Sequence, residues 1–230
     1  MMDRRRFIAS SATMLPMAAL TAALARRALA AETSNATLPV PASKRLAFAV
    51  FRNGTRIGEQ ILQFVETGEH LRIDNHVTLQ VKLLDVVMFN YHAAITEHWV
   101  QGAFKAAQSV INANGTLHRV QAAREAHGVA ISGNLIKPYI APPDALPLTY
   151  WNKVLLKCPM INMQTGHTDH PTVTDLGWFA LPTLPTGTVR AQAYKLSGPL
   201  HLTIYYDQQN RWQGLAFDHS GHITYEPILS

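Results

Sequence analysis

Apolar and polar residues alternate through most of this chain, and a period of two is the mark of a half-buried β-strand. Over residues 71–81, Leu71, Ile73, Val77, Leu79 and Val81 fall on one face, and Arg72, Asp74, His76, Thr78 and Gln80 on the other. Residues 86–100 continue the pattern at lower contrast. Tyr91, Ala93, Ile95, Glu97 and Trp99 share one phase, and Asn90, His92, Ala94, Thr96 and His98 the other. Ahead of these, strands over 45–51 and 57–65 flank Asn53-Gly54. Asn-Gly between two such runs signals a hairpin, because both turn positions must tolerate a positive φ. Further strands are expected over 104–112, 117–124, 129–132, 171–176, 189–196, 200–206, 212–217 and 223–226. About a dozen strands at hairpin spacing predict a mostly β protein: a single antiparallel curved sheet, or an open half barrel.

One stretch departs from the pattern. Residues 137–162, KPYIAPPDALPLTYWNKVLLKCPMIN, hold five of the thirteen prolines, the only cysteine (Cys158) and the pair Tyr150-Trp151. Pro142-Pro143 and Pro147 exclude a central strand, since proline lacks the N–H that a ladder needs. Thr149 fits a helix N-cap, 150–157 a short helix, and Pro159 its end. The reading is a Pro-rich crossing segment whose one short helix forms a lid over an apolar face. A gap left beneath it would be a concave, apolar ligand pocket; tight packing would leave only core.

The N-terminus changes the charge picture. Asp3-Arg4-Arg5-Arg6-Phe7-Ile8 opens an Ala-rich apolar run over 7–25 that ends in Arg26-Arg27 and Ala28-Leu29-Ala30. This is the pattern of a twin-arginine signal peptide over 1–30, cleaved after about Ala30. Pro16, the many small residues and the cleavage pattern argue against a membrane anchor, so the mature form is expected not to span a membrane. The expectations are passage through the twin-arginine translocase, removal by signal peptidase and a periplasmic location. A flexible lead-in over 31–44 and a single all-β domain over 45–230 would follow. The whole chain carries 20 Lys+Arg against 15 Asp+Glu. Five of those arginines and one aspartate lie in 1–30, leaving a nearly neutral remainder with no basic cluster. Nucleic acid is therefore not an expected partner.

Several short patterns stand along the rest of the chain: Glu97-His98-Trp99-x-x-Gly102, Pro147-x-x-Tyr150-Trp151-Asn152, Thr165-Gly166, Tyr194-x-Leu196-x-Gly198, Tyr205-Tyr206-Asp207 and Trp212-x-Gly214-Leu215-x-Phe217. Together they resemble a family of twin-arginine-exported bacterial proteins described as a domain of unknown function. The resemblance covers nearly the whole mature chain. That family is distantly similar to periplasmic half-barrels of the lipoprotein-carrier type, which implies antiparallel strands with a helical lid over an apolar concave face.

The candidate chemistry follows from this layout. Trp99, Tyr150, Trp151 and Tyr206 would supply apolar contact to a lipid or other apolar small molecule, with Glu97 or Asn152 orienting it. Glu97 in an inward phase would have a raised pKa if unpaired, so an envelope enzyme using Glu97 and a histidine as acid and base is an alternative. A structural or interaction protein without a small ligand is a second alternative. His167, Asp169 and His170 form the densest metal-type cluster, followed by Asp218, His219 and His222. Neither has an established ligand spacing, and solvated loop histidines are the simpler reading. Cys158 reads as a buried structural thiol. There is no G-x-S-x-G elbow, phosphate loop or dinucleotide fingerprint, so no cofactor is expected.

Overall fold

The alternation becomes two meanders of strands joined edge to edge. The structure is a computed structural model that describes residues 38–83 and 86–229. Residues 1–30, expected as a signal peptide, and residues 31–37 lie outside the described residues. The first meander is β1 (Arg45–Arg52), β2 (Thr55–Thr67), β3 (His70–Leu83), β4 (Val86–Val100), β5 (Ala103–Ala113), β6 (Thr116–Arg124), β7 (Val129–Gly133) and β8 (Tyr139–Ala141). The crossing segment follows, with β9 (Leu146–Pro147), a 3-10 helix (Lys153–Lys157), β10 (Met160–Ile161) and β11 (Thr168–Asp169). The second meander is β12 (Thr172–Pro182), β13 (Thr188–Ser197), β14 (Leu202–Tyr206), β15 (Trp212–Asp218) and β16 (His222–Pro227).

Thirteen strands form one sheet in the order β12-β13-β14-β15-β16-β1-β2-β3-β4-β5-β6-β7-β8, each neighbour antiparallel. The sheet is not closed: β8 and β12 are its two edges. That order dictates the crossing segment. The chain leaves the sheet at one edge and must re-enter at the other, so the connecting residues have to traverse it. On the way β9, β10 and β11 make a small sheet of their own.

The side chains of the crossing segment are part of the core. Ala145, Leu146, Trp151, Leu155, Met160 and Ile161 are buried in the same cluster as Phe48, Phe64, Ile73, Trp99 and Trp212. Arg124 of β6 ties the segment to the sheet, donating to the carbonyls of Phe104, Pro143 and Ala145. Tyr139 Oη donates to the Gly166 carbonyl at 2.8 Å. Leu38 and Val40, within the expected lead-in, also pack against the cluster, and the Phe64 amide bonds the Lys44 carbonyl at 2.9 Å.

Two expectations are corrected. The helix over 150–157 is instead a five-residue 3-10 helix, Lys153–Lys157, capped by Asn152 and not Thr149. Asn152 Oδ1 accepts from the Val154 amide at 3.1 Å. Tyr150 cannot be helical, because its φ of 70° lies in the left-handed region. For a bulky residue that conformation costs about 1–3 kcal/mol and persists only where the surroundings impose it. The strand expected over 171–176 runs on through Pro182. Gly177, at φ 86°, forms a bulge there, its backbone N–H donating a hydrogen bond to Asp175 Oδ1, and the ladder resumes beyond it. Among the described residues no helix is long and apolar enough to cross a membrane.

Candidate functional site

The register of β2, β3, β4 and β5 stacks their inward side chains in rungs, each two residues, or roughly 7 Å, along the strand from the next. From the inside outwards the rungs are Phe64–Ile73–Glu97–Ala107, Leu62–Asn75–Ile95–Ser109, Gln60–Val77–Ala93–Ile111 and Gly58–Leu79–Tyr91–Ala113. The crossing segment packs against the first of these, and the space beyond it is open.

Glu97 is fully buried in the innermost rung. Its Oε2 accepts from Trp99 Nε1 at 3.0 Å and its Oε1 from Trp151 Nε1 at 3.1 Å. The two indoles meet edge to face at 5.3 Å, and Trp151 meets Phe64 in the same way at 5.5 Å. Burial pushes the Glu97 carboxyl up to about 7, while the Thr149 hydroxyl and the two indole donors pull the other way. Tyr206, also fully buried, donates its hydroxyl to the carbonyl of Tyr150, the residue before Trp151, at 2.7 Å, and the Tyr150 ring lies 5.4 Å from Trp212. The free space beside Glu97 is about 10 Å³. That is at the lower limit for one water. No histidine encloses it.

Of the six side chains read from the sequence as a ligand site, Glu97, Trp99, Trp151, Asn152 and Tyr206 are thus buried in a filled floor. Only Tyr150 also reaches the open space above. This space is a cavity of about 620 Å³ between the inner faces of β2–β5, β15 and β16 and the segment residues Leu148, Tyr150, Met163 and Gln164. Its walls are mainly Ile57, Val77, Leu79, Ala93, Ile111 and Ile223. Three phenols face it. Tyr91 donates to Gln164 Oε1 at 3.1 Å, and burial pushes its hydroxyl up to about 12. Burial also raises Tyr150 and Tyr225, each with a further contribution from the nearby Tyr91. All three therefore stay protonated. Ser109 Oγ, bonded to the Met163 carbonyl at 2.5 Å, pins the segment at the cavity floor.

The polar pair of the cavity is one that the sequence pattern had not singled out. Gln60 and Asn75 are almost fully buried and joined by one hydrogen bond, Gln60 Nε2 to Asn75 Oδ1 at 2.8 Å. The signal was present: Asn75 falls in the inward phase between Ile73 and Val77, and buried polar groups need partners. A second hollow of about 370 Å³ lies against β13–β16 and is lined in part by Lys195, Tyr205, Asp218, His222 and Glu226.

His167 and His170 are exposed, with Asp169 between them on β11. His222 Nδ1 lies 2.9 Å from Asp218 Oδ1 at the surface. Among the described residues no three His, Cys, Asp or Glu side chains gather as a metal-holding group. Cys158 caps the 3-10 helix, and burial pushes its thiol up to about 11, away from a reactive thiolate.

With this geometry in hand, residues 48–228 match the family described as domain of unknown function DUF6134. The chain belongs to the DUF6134 family. The match takes in both meanders and the crossing segment, so the Glu97 floor and the cavity both lie within the DUF6134 domain. A crystal structure of a beta-barrel-like protein of domain of unknown function DUF1849 from Brucella abortus is similar in fold, with a TM-score of 0.56 at 8% identity. The similarity covers 80% of this chain and 94% of that one. A search of curated proteins gives no match.

Proposed function

We propose that this DUF6134 protein is an exported, periplasmic binding or carrier module for an apolar or amphipathic, lipid-like ligand. The observation that carries this reading is the cavity of about 620 Å³ above Tyr150, apolar in its walls and holding a few convergent polar groups. Sites for small ligands have this size and make-up. Each methylene buried in such a space stabilises the complex by about 0.8 kcal/mol, so an alkyl chain is an efficient occupant. The crossing segment serves as the fixed floor of the site. Its bonds to Glu97, Ser109 and Arg124 argue against a hinged lid. The translocase and signal peptidase would be partners during export only.

The test is a titration with N-phenyl-1-naphthylamine, a neutral apolar fluorophore. Uptake with rising fluorescence is expected for the wild type and not for Ala93→Phe, which places a ring in the middle of the cavity. A silent wild type, or equal uptake by the two proteins, would sink the proposal.

A further inference from the structure

We propose that the ligand enters polar end first, and that this end is an uncharged group that both donates and accepts hydrogen bonds, a hydroxyl or a carboxamide, held by Gln60 and Asn75. This inference rests on the binding role proposed above.

The pair is a built site with capacity to spare. Gln60 is 3% and Asn75 2% exposed, and both line the cavity. Each amide carries an accepting oxygen and a nitrogen with two donors. Their mutual bond uses one nitrogen and one oxygen. It leaves Gln60 Oε1 and Asn75 Nδ2 with no protein partner among the described residues. Turning both amides over leaves the same remainder, one oxygen and one nitrogen, so the conclusion does not depend on that assignment. A group that only accepts, or only donates, satisfies half of it. A hydroxyl or an amide satisfies both.

The depth of the pair sets the orientation. Asn75 stands one rung above Glu97 and Gln60 two. The mouth lies at the other end, where the β1–β2, β5–β6 and β15–β16 turns at Gly54, Gly115 and Gly221 gather. Val81, at the rim, is six residues from Asn75, about 20 Å along β3. Between them the Tyr91 hydroxyl is already engaged with Gln164. Beyond it the β3–β4 side of the rim is apolar, with Val81, Met88 and Phe89. A tail trailing outwards from Gln60 and Asn75 therefore meets apolar wall along most of that length.

The lack of counter-charge sets the chemistry. Among the described residues no Lys, Asp or Glu lines the cavity, and its two basic side chains, Arg52 and His219, sit at the mouth end, His219 in the β15–β16 turn. Arg52 is at the rim, about 13 Å along β1 from Phe48, the cross-strand partner of Gln60. Its guanidinium is bonded to the Ser220 carbonyl. A carboxylate, phosphate or quaternary ammonium at Gln60 would be stripped of water with no opposite charge beside it, which a neutral group avoids.

The experiment is displacement of N-phenyl-1-naphthylamine by one alkyl chain carrying different ends: alcohol, primary amide, methyl ester, carboxylate at alkaline pH, and quaternary ammonium. The alcohol and amide are expected to displace the probe at concentrations about tenfold or more below the two charged chains. Their advantage over the ester, which only accepts, should vanish in Gln60→Leu/Asn75→Leu while the dependence on chain length persists. Equal displacement by all ends, or an advantage unchanged in the double variant, overturns this inference and leaves the binding role standing. No displacement by any chain overturns both. If the double variant fails to fold, the wild-type ranking decides alone.

Discussion

The same strands do opposite things at their two ends. At the Glu97 rung, β2–β5 meet the crossing segment in a packed floor of indoles with about 10 Å³ to spare. Two rungs further out the same faces stand around about 620 Å³ of open space. The floor is where the distinctive residues are: Glu97, Trp99 and Trp151 touch one another, and Tyr206 and Trp212 both meet the adjoining Tyr150. The cavity walls are mainly Val, Leu, Ile and Ala that any β-protein carries. A dense motif can therefore mark how a fold is latched, while the candidate site lies among ordinary residues whose meaning depends on what fails to fill the space between them.

The largest contrast is expected from truncation. Trp151→Ala removes a fully buried indole and one of the two indole donors to Glu97, and should cost about 3–5 kcal/mol in urea unfolding. A loss below about 1 kcal/mol would mean that the floor is not packed as described.

Next in size is the pH dependence that the floor should have and the cavity should not. Burial raises the Glu97 carboxyl from 4.5 to about 7. Between those values the folded state keeps a proton that the unfolded chain has lost. Glu97 therefore lowers stability progressively as pH rises from about 4.5 to about 7, by roughly 3 kcal/mol in all, and adds no further slope above that. Glu97→Gln should flatten this part of the profile. A variant with the wild-type slope would place its origin elsewhere.

How much of this was legible in the sequence follows from how local each feature is. The strand faces were legible, because alternation in 71–81 and 86–100 is set by the backbone pleat itself. The inward phase of Glu97 and Trp99 was read from the same signal. The position of the crossing segment inside the sheet was not, since it follows from β8 and β12 lying at opposite edges, a fact about strand order. The helix over 150–157 failed for a related reason. Propensity favours it, but Trp151 has to reach Glu97 and Tyr150 has to reach Trp212 and Tyr206, and no helical turn satisfies both. Asn75 was readable as a polar residue in an inward phase. Its partner Gln60 was not, because their contact is a diagonal one fixed only by the β2–β3 register.

Smaller effects sharpen the comparison further. Asn152→Ala removes the cap of the 3-10 helix and should cost about 1 kcal/mol, with apolar-probe uptake unchanged. Ala93→Phe, on the cavity side, should cost no more than about 1–3 kcal/mol, because Ala93 packs with Val77 and Ile111 at its base but lines the open space into which the ring extends. A loss of several kcal/mol there would mean that the cavity is closed in solution.

The most direct measurement is native mass spectrometry of the protein purified from its own host, beside Ala93→Phe prepared in the same way. An added mass from a neutral, lipid-like molecule on the wild type and not on the variant is the predicted result. A wild type that is empty, or two proteins carrying the same mass, would contradict a ligand-holding cavity above the Glu97 floor.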